Sequence, residues 1–183
     1  LVFLNTFVAT AAAVCAWTLG EWIFRGKPTM LGACSGAVAG LVAITPACGA
    51  VDITGAIAIG AVAGVACAWA VGLKFKLKMD DSLDVVGVHL VGGIVGTLLI
   101  GLFSTSAGAG GVDGLFYGGG FGSLADQTLG VLVAVAWSGF FTLLVGLAIK
   151  YTMGWRVSED DEVGGIDLAQ HGESAYDLHT GVG

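Results

Sequence analysis

Histidine is the most versatile chemical group in this sequence, and of its three histidines only His89 lies within an apolar stretch. The other two, His171 and His179, fall in a polar C-terminal segment. A neutral imidazole has one donor and one acceptor nitrogen, which suits hydrogen bonding to a small polar molecule and proton relay. An unpaired imidazole in hydrocarbon is costly, so we expect His89 to face a bundle interior, a partner or a cavity.

The helical neighbours of His89 are small or apolar. Val85 lies four residues before it, and Gly92, Gly93 and Gly96 follow it by three, four and seven residues. Such a face leaves room for a second helix or for a narrow passage beside the ring. Two interpretations remain open: a histidine on a substrate pathway, which the small neighbours favour, and a core histidine bonded to a backbone carbonyl.

Nothing beside His89 indicates covalent or metal chemistry. The sequence has no H-E-x-x-H motif, and no acid or serine follows His89 within one turn. Four cysteines stand singly with no C-x-x-C pair, a pattern typical of small buried apolar side chains: Cys15, Cys34, Cys48 and Cys67. We therefore predict no enzyme activity, no catalytic residues, no metal and no cofactor.

The composition indicates that the apolar stretch around His89 lies in a membrane. The 183 residues are 56% hydrophobic and 11% charged, with a mean hydropathy of +0.89, whereas a soluble domain carries about 25% charged residues. This argues against a disordered chain and a soluble globule. The 32 glycines, mixed with alanine in apolar runs, suit closely packed transmembrane helices. The predicted class is a polytopic membrane protein.

Five apolar stretches are long enough to cross a bilayer core about 30 Å thick, which takes about 20 helical residues. They cover about 1–24, 29–47, 53–73, 84–103 and 126–150. The predicted domains are a transmembrane domain over 1–154 and a C-terminal tail over 155–183. Because the chain opens inside an apolar run without an initiator Met, we expect a fragment that lacks an upstream part.

The charges predict an orientation. In the five-span topology all seven bases fall on one side: Arg25, Lys27, Lys74, Lys76, Lys78, Lys150 and Arg156. The positive-inside rule makes that side and the C-terminus cytoplasmic. Seven of the fourteen acids lie after position 158, so the formal charge of −7 belongs to the tail. No basic surface remains that would hold a nucleic acid.

Two connecting features carry local predictions. Asp84 stands at the predicted start of the fourth span, where we expect its carboxylate to cap the free amides and to suit the helix dipole. The connection over 104–125 is rich in glycine, which predicts a flexible loop.

The segment around His89 resembles a known family. The run DDSLDVVGVHLVGG at 80–93 closely resembles the late-helix signature of the ammonium transporter family, the Amt branch of the Amt/Mep/Rh superfamily. Further matches follow in order, including NT at 5–6, GEW at 20–22, ITPACG at 44–49, WSG at 137–139 and GID at 165–167. The resemblance covers nearly the whole chain.

The resemblance implies an all-α polytopic membrane helix bundle with eleven helices, built as an inverted repeat of five plus five and a final long helix. This chain resembles the second inverted repeat plus the final long helix, seen here as the last five spans. It implies homotrimers in which each subunit has its own narrow hydrophobic pore. His89 then matches one of two pore histidines, and Val85 an apolar pore-lining position. The companion histidine, the gate and the outer recruitment site would lie upstream of residue 1.

The implied function is an ammonium transporter or channel of the plasma membrane that conducts ammonium as ammonia. The alternative is an ammonium-sensing membrane subunit with little transport. An intramembrane enzyme and an unrelated secondary transporter are weaker rivals. The implied partners are membrane lipid and a trimeric PII-type signalling protein at the cytoplasmic face. We also expect the tail to be regulatory, docking on the basic loops through apolar anchors: Val163, Ile166, Leu168 and Tyr176.

Overall fold

The computed structural model describes residues 1–174, and the described residues are almost entirely helical. The α-helices in this part of the chain are α1 (Val2–Arg25), α2 (Met30–Ile44), α3 (Ile53–Ala70), α4 (Leu73–Leu77), α5 (Val91–Phe103), α6 (Gly122–Thr152) and α7 (Glu159–Gly164). A π-helical turn over Val85–Leu90 leads into α5, a 3₁₀ turn covers Leu115–Tyr117, and a second π-helical turn covers Asp167–His171. Within 1–174 there is no strand, only an isolated bridge between Val51 and Ser104.

Four of the predicted spans are matched by helices long and apolar enough to cross a membrane. These are Val2–Arg25, Ile53–Leu77, Val85–Phe103 and Gly122–Thr152. The described part of the chain is therefore an α-helical membrane bundle, and the predicted fold class is confirmed.

The second predicted span, 29–47, is shorter than expected. Its helix ends at Ile44 after 15 residues, about 22 Å at about 1.5 Å per residue, which is less than the bilayer core. Pro46 has no N–H to continue the helical ladder. The chain instead continues in tight turns, with the amide of Cys48 donating to the Ile44 carbonyl at 2.7 Å.

Glycines on α2 and α3 allow both helices to pack closely on α1. A methyl group added at Gly40 would lie 2.8 Å from the Thr10 Cα, and one at Gly60 would lie 2.9 Å from the Ala9 Cα. Such distances leave no room for a side chain. The glycines repeat every four residues on both helices, at 32, 36 and 40 and at 60 and 64, and this spacing reflects contact between helix backbones. The core around these contacts consists largely of small residues, among them Ala9 and Ala43, both 0% exposed.

A buried carboxylate joins the end of α1 to the start of α2. Glu21 is only 6% exposed and accepts hydrogen bonds from the Thr29 amide at 2.9 Å and the Thr29 hydroxyl at 3.1 Å. The Thr29 hydroxyl in turn accepts from the Gly32 amide at 2.9 Å and so caps α2. Arg25 lies 3.7 Å from Glu21. Glu21 gave no signal of this role in the sequence, because Thr29 lies eight residues away along the chain.

The glycine-rich connection after α5 is held at several points by hydrogen bonds, and its predicted flexibility stays a prediction. The amides of Thr105 and Ala109 donate to the Ala50 and Gly49 carbonyls at 2.9 and 2.7 Å. The Tyr117 hydroxyl donates to the Asp52 carboxylate at 2.6 Å. Carbonyl groups of the connection between α2 and α3 thus accept hydrogen bonds from amides of the loop. Local composition does not reveal such contacts.

The described chain divides into two compact units, over 1–135 and from residue 136 onward, with the boundary inside α6. In the second unit the Trp155 indole donates to the Gly146 carbonyl at 2.7 Å. Ser158 caps α7, and Arg156 pairs with Glu162 at 2.8 Å. Of the predicted anchors in the tail, Val163, Ile166 and Leu168 are exposed, whereas Tyr176 lies outside the described residues.

Candidate functional site

His89 belongs to a π-helical turn, not to a regular α-helix. The turn covers Val85–Leu90, and the amide of Val91 donates to the Val86 carbonyl, five residues earlier. Such wide turns often occur at functional sites, because they insert a residue and redirect the side chains before it. The regular helix α5 begins only at Val91.

The turn packs tightly against α3 and the residues that follow it. A methyl group at Gly87 would lie 2.9 Å from the Cα of Val71, so only glycine fits there. Val88 is 3% exposed, and its carbonyl lies 3.7 Å from the Cys67 sulfur. These contacts fix one side of the turn.

Asp81, not Asp84, caps the turn, which corrects the sequence prediction. The Asp81 carboxylate accepts from the amides of Val85 and Val86 at 2.8 and 2.9 Å. Asp84 does stand immediately before the turn, but its side chain makes no capping bond. Its backbone is left-handed, with φ at 56°, which is uncommon outside glycine and most tolerated by Asn and Asp.

Asp84 instead forms an ion pair with Lys74 of α4. The Lys74 ammonium lies 2.6 Å from Asp84 Oδ1, with the two side chains 19% and 29% exposed. The same ammonium donates to the Asp81 carbonyl at 3.0 Å. Lys74 therefore connects α4 to both acids at the start of the turn, and it is a site residue that the sequence analysis did not identify.

The predicted pathway residues lie on the open side of the turn. His89 is exposed, and Val85 is 53% exposed. A methyl group at Gly93 would meet nothing within 4 Å. The core-histidine interpretation expects a buried ring, and the described residues do not bury it.

Gly92 and Gly96 lie on the packed side, so the glycines near His89 do not form one face. A methyl group at Gly92 would lie 3.3 Å from both the Cys67 sulfur and Val42 Cγ1. One at Gly96 would lie 2.7 Å from the Ala43 Cα. Gly92 and Gly96 therefore have the close contacts that a packing role requires, whereas a methyl group at Gly93 would have no neighbour.

The described residues contain no group of three or more His, Cys, Asp or Glu side chains able to hold a metal ion. Cys67 is buried, as its apolar context predicted, but Cys15 and Cys34 are exposed. The arrangement around His89 can therefore offer hydrogen bonds on an apolar, partly open surface.

The start of the turn could be predicted only in part from the sequence. Asp80, Asp81 and Asp84 cluster just before the apolar run that holds His89, which signals a helix start. Which acid caps depends on the backbone between them, where Asp84 adopts the left-handed conformation. Lys74 gave no local signal, because its partners depend on how α4 packs against the turn.

The comparison with protein families decides the class to which this site belongs. The model of the Ammonium Transporter Family matches residues 1–176. The chain belongs to this family. The resemblance drawn from the residues around His89 is confirmed.

Curated relatives of the family match the chain nearly end to end. An ammonium transporter of Mycobacterium tuberculosis H37Rv is 54% identical over 187 residues, which cover 99% of this chain and 39% of that protein. An ammonium transporter of Aquifex aeolicus is 47% identical over 176 residues, covering 96% of this chain and 41% of that protein. The chain thus spans about two-fifths of the length of the relatives it matches.

Solved structures of family members share the fold. Saccharomyces cerevisiae Mep2 superimposes with a TM-score of 0.83 at 35% identity, covering 98% of this chain and 42% of that chain. A protein named Sensor Amt Protein gives a TM-score of 0.78 at 32% identity, covering 93% of this chain and 41% of that chain.

Proposed function

We propose that this chain forms part of an ammonium transporter that conducts ammonium as ammonia through a narrow hydrophobic pore lined by His89. The observation that carries this is the position of His89. It is exposed on a π-helical turn, as is Val85, and Gly93 has open space four residues later, in a chain whose family relatives are named ammonium transporters.

The proposed mechanism follows from solvation. A dry apolar passage strongly penalises a permanent ion, whereas ammonium can release its proton and cross as neutral ammonia. The His89 imidazole then replaces part of the lost hydration by donating or accepting one hydrogen bond at each ring nitrogen. Val85 excludes water from the same surface, and Gly93 leaves space beside the ring. This chemistry needs no resident metal or cofactor.

The assembly and orientation belong to the same proposal. The transporter is a homotrimer in the plasma membrane, crossing it several times, with membrane lipid around it. The distribution of bases over the connections supports a cytoplasmic C-terminus. A PII-type signalling protein is the proposed partner at that cytoplasmic face. Residues of the pore beyond this chain complete the passage.

Substitution of His89 tests the pore assignment. In a full-length transporter, His89→Ala is expected to lower ammonium uptake about tenfold or to change the selectivity between ammonium and methylammonium. A lost hydrogen bond worth about 1–1.5 kcal/mol corresponds to that factor. His171→Ala, at the other described histidine, is the control for loss of an imidazole and should leave the selectivity between ammonium and methylammonium unchanged. Trimer assembly is measured alongside uptake.

Unchanged flux and selectivity in His89→Ala would remove the histidine from the pathway. The core-histidine interpretation predicts a different result, because it expects lower thermal stability with normal selectivity in the molecules that remain.

The second candidate is an ammonium-sensing membrane subunit with little transport, for which the likeness to Sensor Amt Protein is the specific observation. The two functions separate in a strain that lacks its own ammonium transporters. A transporter restores growth on low ammonium, whereas a sensor restores only the ammonium-dependent signal.

A further inference from the structure

Lys74 and Asp84 occupy the junction between the helix that ends in α4 and the turn that carries His89. Their ion pair, at 2.6 Å, is only partly exposed. Surface ion pairs contribute little because water screens them and because long side chains lose freedom. This pair is half-buried, and the hydrogen bond that the Lys74 ammonium donates to the Asp81 carbonyl at 3.0 Å holds the ammonium in place.

The pair acts on the part of the backbone that determines where the turn begins. Asp84 has the left-handed conformation that ends the connection and starts the turn. Asp81, held through its carbonyl, uses its carboxylate to bind the amides of Val85 and Val86 at 2.8 and 2.9 Å. Lys74 thus secures both residues that define the first turn.

The register of this turn decides which side chains face the open side. An α-helix has about 3.6 residues per turn, so a slip of one residue rotates a side chain by about 100°. The adjacent residues Val88 and His89 differ in this way, because Val88 is 3% exposed and packed whereas His89 is exposed. A slip of one residue in one direction would put His89 in the buried place of Val88 and leave Leu90 in the place of the ring, and a slip in the other direction would put Val88 there.

We propose that the Lys74–Asp84 ion pair is a positioning device that holds the π-helical turn in the register which presents the His89 ring on the open side. Lys74 and Asp84 are positioning residues and do not touch the permeating molecule. This inference rests on the proposed role of His89 in the pathway.

The test breaks the pair in a full-length transporter with two variants of different chemistry. Lys74→Gln removes the ammonium, and Asp84→Asn removes the carboxylate charge while keeping a residue that tolerates the left-handed conformation. Lys76→Gln, an exposed lysine on the same helix, is the matched control for loss of a positive charge. The readouts are uptake per assembled trimer, ammonium-to-methylammonium selectivity, and a cryo-EM structure of Lys74→Gln.

The expected result is a fall in uptake of about tenfold or more in Lys74→Gln and in Asp84→Asn, because displacing a positioned group by about 1 Å can cost that much. The double variant is expected to lose no more than either single one. Lys74→Arg, which keeps the charge, is expected to restore most of the uptake. The cryo-EM map is expected to show the His89 ring displaced.

Normal uptake in both variants while His89→Ala is impaired would overturn the inference, and so would an unmoved His89 ring in Lys74→Gln. If both charge variants fail to assemble while Lys76→Gln assembles, the pair is needed for folding and the positioning role is wrong. Failure of the pore assignment looks different. In that case the ring moves in Lys74→Gln, yet uptake and selectivity stay normal there and in His89→Ala.

Discussion

At the scale of single residues, the glycines that follow His89 differ in their packing. Gly92 and Gly96 bring α5 against Cys67, Val42 and the α2 backbone, and a side chain at Gly96 would overlap Ala43. Gly93 has open space instead. Adding a side chain therefore has different consequences at these three positions, although their residue types are the same.

We predict that Gly96→Ala destabilises the bundle and Gly93→Ala does not. Overpacking of a closely packed position costs about 1–3 kcal/mol, so the Gly96→Ala transporter should unfold at a lower temperature in detergent. Gly93→Ala is the matched control and should unfold like the wild type. Equal unfolding temperatures for all three proteins would show that α5 and α2 are not in backbone contact.

Larger substitutions at the same helix test the pathway itself. Gly92→Leu and Gly93→Leu are both expected to abolish ammonium uptake, the first through misassembly and the second through a block of the open side beside His89. Size-exclusion chromatography distinguishes the causes, because only Gly93→Leu should elute as a normal trimer. Wild-type uptake in Gly93→Leu would place the pathway elsewhere.

At the scale of helices and loops, polar side chains at the helix ends connect neighbouring elements. Glu21 joins α1 to α2 through Thr29, and Asp52 joins the start of α3 to the connection over 104–125 through Tyr117. Each carboxylate also satisfies amides at a helix start, directly or through the capping threonine. These contacts therefore align helices and limit loop motion together.

Loss of the Glu21 carboxylate is predicted to loosen the start of α2. Glu21→Ala leaves the Thr29 amide without its buried acceptor, which costs about 1–3 kcal/mol, whereas Glu21→Gln keeps one acceptor oxygen and should lose less. Hydrogen exchange over residues 29–36 should rise in Glu21→Ala. The exposed acid Glu159 provides a control, since Glu159→Ala should not change exchange there.

The contact between Asp52 and Tyr117 is predicted to depend on pH. The hydrogen bond from the Tyr117 hydroxyl, followed by that from the Gly55 amide, lowers the pKa of Asp52 below its ordinary value of 3.8. The same bond to Asp52 raises the pKa of Tyr117 above 10.0. Stability from the lowered carboxyl is present above pH 3.8 and is lost as the pH falls through its folded pKa, whereas the tyrosine contribution is lost at alkaline pH.

Tyr117→Phe provides the measurement. The variant should be less stable than the wild type by under about 1 kcal/mol at pH 7, since the contact is solvent-accessible. That difference should shrink as the pH falls below 3.8, the ordinary pKa of the carboxyl group. Tyr151→Phe, an exposed tyrosine on α6, is the control. A pH-independent difference would mean that the lost ring hydroxyl acts through something other than Asp52.

At the scale of the whole molecule, the chain combines apolar spanning helices with an acidic end. The described tail has its own local order, with Ser158 capping α7 and Arg156 paired with Glu162. Val163 and Leu168 stand exposed there, at 85% and 66%. Exposed apolar residues within an acidic segment suit contact with another surface, which supports the proposed regulatory role.

Truncation after Arg156 in a full-length transporter tests that role. We expect uptake to change and inhibition by the PII-type partner to weaken, because the acidic segment and its apolar residues are removed together. A charge-preserving variant with Val163→Ser and Leu168→Ser separates the two contributions. If truncated and intact proteins transport alike and are inhibited alike, the tail is passive.

The sequence by itself determined the membrane class, four of the spans as the structure has them, and the family. Hydropathy, glycine spacing and the run around His89 are local properties of the chain, so they survive without coordinates. Only the tertiary structure decided that Asp81 and not Asp84 caps the turn, that Lys74 pairs with Asp84, and that Gly92 is packed whereas Gly93 has open space. The physical reason is that helical periodicity assumes a regular ladder. A π-helical turn inserts a residue, and contacts between helices depend on packing that no local pattern specifies.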